Sequence, residues 1–255
     1  MIRFLRALAP FAATVFLLVL WEVSCRALHV PSYRLPPPSA VAAALWANLP
    51  LLLSSAWRTF SMALSAMAVA SFIACSIAAG AALSQSLERS IRPLAVALQV
   101  TPVVALAPLV QIWAGIDYPD RAVIALTVIV AFFPIYSGAV SGLNAADPDL
   151  NRLFDLYGAN PLQRLLKLRI PSAVPFLLEG HKVAVGLSLV GAVVAEFAAG
   201  SGGAQGLAWR ILEAGNRLQT AQMIAALVVL ALMGAALHTL FALLEKRAIR
   251  WWRGR

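Results

Sequence analysis

The sequence predicts an all-α integral membrane fold with about six transmembrane helices, and three observations carry that expectation. Hydrophobic residues make up 61% of the chain and charged residues only 12%, against about 25% charged in a soluble domain. Charge-poor runs of about 20 residues, the length that crosses a hydrocarbon core of about 30 Å, recur along its 255 residues. One polar, basic segment, 147–171, separates two of those runs and is punctuated like a folded loop. A single transmembrane domain covering 1–255 is the economical reading.

The first span is placed at 7–27. Arg3 and Arg6 ahead of this apolar run imitate a secretory signal. No small-x-small cleavage site follows, and Glu22, three residues before Cys25, is foreign to a lipoprotein signal, so the run reads as an uncleaved helix. The next charge-free run, 35–57, is broken by Pro36, Pro37, Pro38 and Pro50. It reads as an interfacial helix at 39–49, capped by Ser39 and ended by Pro50, rather than as a span. Further spans are placed at 59–84, 93–115, 122–144, 175–198 and 219–244. The fifth is the least apolar, holding Glu179, His181, Lys182 and Glu196.

Charge asymmetry orients them. With six spans both termini share a side, and placing them inside puts 14 of the 20 Lys and Arg residues there. Cytoplasmic termini and a cytoplasmic 147–171 loop satisfy the positive-inside rule, with Trp251 and Trp252 as interfacial anchors. The net charge of +9 is thereby assigned to loops facing anionic lipid, and nucleic acid is not implied. Cys25 and Cys75 lie in apolar runs with no disulfide or metal-ligand spacing.

The 147–171 segment reads as two short helices joined at a glycine. Asp147 is the N-cap of the first and Pro148 its first residue. Leu150, Leu153, Phe154 and Tyr157 follow helical spacing, and Gly158 stands where a left-handed C-terminal cap belongs. The second restarts with Asn160 and Pro161, carries Arg164, Lys167 and Arg169, and is expected to stop at Pro171.

Energy-transducing and catalytic motifs are missing. None of the three lysines follows a glycine, so no phosphate-binding G-x-x-x-x-G-K-[ST] exists. The Ser201-Gly202-Gly203-Ala204-Gln205 string imitates a nucleotide-hydrolase signature but reads as part of a tight outer turn at 200–206. There is no H-E-x-x-H and no G-x-S-x-G. No catalytic residue, metal site or cofactor is expected, and the chain reads as a transport subunit rather than an enzyme. An ion-coupled secondary transporter or a membrane enzyme is the competing reading, although no internal repeat supports the former.

The loop resembles the cytoplasmic loop of ABC importer permeases. In that family a Glu-Ala-Ala segment is followed by glycine, nine residues and Ile-x-Leu-Pro. Here Gly158 is followed by nine residues and Leu168-Arg169-Ile170-Pro171, while Arg152, Leu153 and Phe154 occupy the Glu-Ala-Ala positions. Leu35-Pro36-Pro37-Pro38-Ser39, the Pro102 to Pro108 stretch with Trp113-Ala114-Gly115, and Gly191 to Glu196 are similar to the aliphatic sulfonate, taurine and nitrate-type group of these permeases.

The resemblance implies a type I ABC importer permease fold in a bacterial inner membrane. It implies a permease homodimer, two ABC ATPase subunits beneath it, and a periplasmic or extracellular solute-binding protein. The solute class it implies is small and polar or anionic: a sulfonate, taurine, nitrate, or a pyrimidine or vitamin-precursor type. The coupling residues it implies are Leu153, Phe154, Asp155, Leu156, Tyr157, Gly158, Ala159, Leu168, Ile170 and Pro171. For the translocation path the polar residues Gln99, Thr101 and Glu196 are candidates. Interhelical hydrogen bonding is the alternative for Gln99 and Thr101, and a structural partner in Arg210, Arg217 or a neighbouring helix end for Glu196. Glu179, His181 and Lys182 are read as structural groups near the inner interface. Gly138 and Gly142 form a small-x-x-x-small pair suited to close helix packing.

Overall fold

The computed structural model describes residues 2–199 and 205–252, and the side chains of 12–84, 86–198, 205–250 and 252. Most of the expected 200–206 turn lies outside these residues. So do the side chains of Arg3, Arg6 and Trp251, and residues Arg253 and Arg255. The described elements are helices: α1 (Ile2–Ala27), α2 (Pro38–Ala47), α3 (Leu49–Leu83), α4 (Gln85–Val100), α5 (Val103–Ala114), α6 (Pro119–Asn144), α7 (Pro148–Leu156), α8 (Pro161–Arg164), α9 (Ile170–Ala199), α10 (Leu207–Asn216) and α11 (Thr220–Trp252). A π-helical turn, Leu165–Arg169, joins α8 to α9.

The centre of the bundle is α6 sandwiched between α3 and α9. Alanine at helical spacing, Ala63, Ala66, Ala70, Ala74, Ala78 and Ala81, forms the buried stripe of α3. Small side chains of this kind let membrane helices approach closely. Between α6 and α9 the approach is closer still. A Cβ at Gly138 would lie 2.8 Å from the Phe176 carbonyl oxygen and 3.1 Å from Gly180 Cα, and one at Gly142 would lie 2.8 Å from Ala173 Cα. The expected Gly138/Gly142 packing motif is therefore met by a glycine on the facing helix.

Chain direction follows from the contacts. Arg169 donates to the Ala82 carbonyl at the end of α3, whereas Thr59 near its start meets Leu207 of α10. Thus α3 and α6 run toward the 145–169 loop and α9 runs away from it. α11 runs toward the loop end: Thr220 bonds the Tyr33 carbonyl, and Glu245 pairs with Lys182 of α9 at 3.0 Å.

Four helices among the described residues are long and apolar enough to cross a membrane: Leu49–Leu83, Pro119–Asn144, Pro161–Ala198 and Thr220–Arg250. A fifth crossing exists if α4 and α5 act as one. The expected first span, 7–27, is helical within Ile2–Ala27.

Three expectations at prolines need correction. The span placed at 93–115 is not straight: α4 and α5 are bent by 104° at Thr101 and Pro102. Pro102 has no N–H to continue the ladder, and it holds Thr101 extended at ψ 126°. Pro50 does not end the interfacial helix. That helix stops at Ala47, and Pro50 lies in the first turn of α3, where a missing N–H costs nothing. The α3 span thus begins ten residues before 59, inside the run read as non-spanning. Pro37, not Ser39, occupies the N-cap of α2. Ser39 instead donates its N–H and hydroxyl to the Glu22 carboxylate, at 3.0 and 2.8 Å, tying α2 to α1. Finally, Pro171 does not stop the helix. The π turn sets the Ile170 N–H on the Leu165 carbonyl, and the helix continues through Pro171.

The α6–α9 contact is testable. Gly142→Leu is expected to force the helices apart and cost roughly 1–3 kcal/mol, as overpacking does. Gly186, where a Cβ would meet nothing within 4 Å, is the control: Gly186→Ala leaves the melting temperature in detergent unchanged while Gly142→Leu lowers it.

Candidate coupling loop and membrane cavity

The loop folds as its caps dictate. The Asp147 carboxylate accepts from the Asp149 N–H at 2.8 Å and starts α7. Gly158 takes φ +62°, the left-handed conformation that a residue with a Cβ adopts only with strain. Asn160 and Gln163 then form a reciprocal capping box, each side chain bonding the other's backbone N–H at 2.8 and 3.0 Å. Across the joint, Arg164 pairs with Asp155 and fixes the angle between α7 and α8. Asp155 thus has a partner inside the loop.

Beyond these caps, the loop divides into an anchor and a free face. Leu165 and Leu168 are buried at the foot of the bundle, Leu165 in the cluster with Leu143 and Ala173. Leu156 and Tyr157 are 84% and 82% exposed, and Leu153 and Leu150 are also exposed. Phe154 and Ala159 are half-buried, while Ile170 and Pro171 are exposed on the far side of the anchor. A shallow groove of about 270 Å³ runs between Leu153, Phe154, Tyr157, Ala159, Gln163 and Lys167. Apolar side chains offered to solvent on a rigid, capped frame are an unusual use of surface.

A cavity of about 610 Å³ lies within the membrane-spanning region, between α4, α5, α6 and α9. Gln99, Ser137, Ser141 and Glu179 are its polar lining, set among Leu98, Ile129, Phe133 and Val183. Its α9 wall includes Phe176, Glu179, Val183 and Leu187, part of an exposed stripe at helical spacing that continues to Val190. The adjoining face of α9, with Gly180 and Ala173, is the one pressed on α6. A carboxylate on such a stripe is costly against lipid, so this face meets water or protein. Of the expected path residues, Gln99 lines the cavity. Thr101 sits at the α4–α5 break, its hydroxyl donating to the Ala97 carbonyl at 2.7 Å. Glu179, read from sequence as structural, is the ionisable group in the wall.

Glu196 lies elsewhere. It is 2% exposed near the far end of α9, away from the cavity lining. Thr59 Oγ1 donates to its Oε1 at 2.7 Å, the Trp209 N–H reaches its Oε2 at 3.4 Å, and the Leu207 N–H donates back to Thr59 Oγ1 at 2.9 Å. Its partners are therefore a hydroxyl and the start of α10. Arg210 instead donates to Ser55 Oγ and pairs with Glu213, which also holds Arg217. Gly206 makes the arrangement possible, because a Cβ there would collide with both Glu196 carboxylate oxygens and with Thr59 Oγ1. Sequence reasoning missed Thr59, 137 positions from Glu196; a lone hydroxyl in an apolar run gives no pattern to read. Among the described residues no three His, Cys, Asp or Glu side chains converge as a metal site.

Comparison with known proteins adds the following. Residues 71–250 match the family model described as binding-protein-dependent transport system inner membrane component. The chain is 33% identical to the riboflavin transport system permease protein of Chloroflexus aurantiacus, covering 93% of this chain and 87% of the relative. It is 30% identical to the formylaminopyrimidine transport permease protein of Halalkalibacterium halodurans over 98% of each. A probable ABC transporter permease protein of Haemophilus influenzae is 29% identical over 92% of this chain and 94% of its own length.

The Glu196 cluster generates a stability prediction. Thr59→Val strands a carboxylate oxygen and the Leu207 N–H, each costing about 1–3 kcal/mol when buried without a partner. A lower melting temperature in detergent for Thr59→Val, restored by Thr59→Ser, is the expected result.

Proposed function

This chain belongs to the family of binding-protein-dependent transport system inner membrane components, and on that premise we propose that its 147–171 loop is the coupling element through which a separate ATPase drives the path. The chain is a multi-span permease subunit of an ABC importer, a class that works with an ATPase and a substrate-binding protein. ATP hydrolysis by that separate partner is part of the proposal.

The observation that carries it is the exposure of Leu156 and Tyr157 on a doubly capped frame whose other side is anchored by Leu165 and Leu168. In this reading Leu153, Phe154, Leu156 and Tyr157 are the apolar knob in the ATPase cleft. Gly158 and Ala159 form the joint, and Asp155 holds it through Arg164. Leu168, Ile170 and Pro171 hand the movement to α9. Because α8, the π turn and α9 form one helix of 38 residues, Pro161–Ala198, displacement of the loop reaches the cavity wall without an intervening hinge.

Two copies of this chain pair across the exposed α9 stripe, with two ATPases beneath and the binding protein at the α10 end. The loop and both termini are cytoplasmic, at the basic side of a bacterial inner membrane. The cavity is the path for a small polar solute, with Gln99 in its wall, Thr101 at the bend that shapes it, and Glu196 as the outer latch.

Leu156→Arg and Tyr157→Ala change only exposed side chains. Each is expected to abolish co-purification of the ATPase in mild detergent while leaving membrane insertion and melting temperature unchanged. Gly158→Val, which puts a branched side chain at φ +62°, is expected to abolish co-purification as well, by distorting the joint. Retention of a stoichiometric ATPase in all three variants defeats the coupling assignment.

A further inference from the structure

We propose that the membrane cavity selects solutes that present N–H donors or positive charge, and rejects anions, through Glu179. The inference rests on reading that cavity as the translocation path.

The reasoning begins with the distribution of charge along one stretch of α9. Glu179, His181 and Lys182 lie within four residues of one another; helical rotation puts His181 on a different face from Glu179, while Lys182, one turn along from Glu179, reaches away from it to another helix. His181 is committed to α3, its Nε2 at 2.7 Å from Ser71 Oγ and its Nδ1 at 2.7 Å from the Leu177 carbonyl. Lys182 is committed to α11, its Nζ at 3.0 Å from Glu245. Glu179 alone turns into the cavity, and among the described residues it has no hydrogen bond or ion pair. No Lys, Arg or His lines that cavity.

Its other polar groups, Gln99, Ser137 and Ser141, are neutral and can both donate and accept. The adjoining space toward the loop, about 300 Å³, holds Glu88 and Arg92 together, so it adds no net charge. The field at the cavity is therefore that of a carboxylate, doubled if two copies face each other. A carboxylate accepts and never donates, and in an apolar wall its charge is poorly screened. Nitrate or a sulfonate entering here meets like charge with no compensating cation. A protonated amine, or a heterocycle carrying amino or ring N–H groups, meets an acceptor that no other residue uses.

The test reads the field directly. With Cys25 and Cys75 replaced by alanine, Ser137→Cys is placed in the cavity of the otherwise complete transporter. Its modification rate is measured with a trimethylammonium-bearing and a sulfonate-bearing methanethiosulfonate. The cationic reagent is expected to react faster, and Glu179→Gln to lower the cation-to-anion rate ratio about tenfold. A ratio unchanged by Glu179→Gln overturns the selectivity proposal while leaving the path assignment standing. Failure of both reagents to react at Ser137→Cys, and also at Gln99→Cys, overturns the path assignment and the proposal with it. Uptake of nitrate or ethanesulfonate that is lost in Tyr157→Ala also overturns it.

Discussion

Everything in this bundle depends on the backbone contact between α6 and α9. Glycine on both helices removes the side chains that would hold them apart, and the remaining spacing is set by main-chain atoms of Phe176, Gly180 and Ala173. Such a contact has one permitted rotation. Once Gly180 and Ala173 face α6, helical geometry sets Phe176, Glu179, Val183 and Leu187 along one flank of that contact, where they line the cavity together with α6. The cavity wall is therefore a consequence of where the glycines are. On the other side of α6, the alanine stripe of α3 achieves a less intimate version of the same packing.

The same geometry gives α9 its mechanical character. Pro171 would ordinarily break a helix by removing a donor and crowding the carbonyl four residues earlier. The π turn at Leu165–Arg169 absorbs this by shifting the Ile170 bond to the Leu165 carbonyl, and Ser172 Oγ supplies a bond to the Leu168 carbonyl at 2.8 Å. One helix consequently joins the loop to the Glu196 cluster, over roughly 55 Å at 1.5 Å per residue. In the proposed cycle a push at α7 and α8 reaches the cavity wall and the Thr59 contact through covalent helix. The link does not depend on a chain of side-chain contacts.

Local signals were legible in the sequence, and long-range ones were not. The loop was read well because caps act over three or four residues: Asp147, Asn160 with Gln163, and Gly158 each announce their own geometry. The α4–α5 bend, the early start of α3 and the unbroken α9 share one cause. Each turns on a proline whose effect depends on its position in the helix. Pro50 falls in a first turn, Pro102 at a break, and Pro171 beside a π turn. Glu196 was singled out as an ionisable residue in a span, but its partner Thr59 lies on another helix. Glu179 was grouped with His181 and Lys182 because the three are close in sequence, whereas their side chains part: the imidazole goes to Ser71, the amine to Glu245, and the carboxylate lines the cavity.

That separation bears on what the permease does with charge. A membrane helix carrying an acid, an imidazole and an amine within one turn has an inexpensive way to neutralise itself, by pairing them with one another. Here the amine is satisfied by Glu245 and the imidazole by Ser71. Those bonds fasten α9 to α11 and α3, and they leave the carboxylate as the group without a partner. An unpaired acid in the least polar part of a protein persists only where water or a ligand reaches it. Its position on the exposed stripe that flanks the glycine contact supplies that access. The packing that fixes α9 against α6 thus also decides which charge the cavity presents.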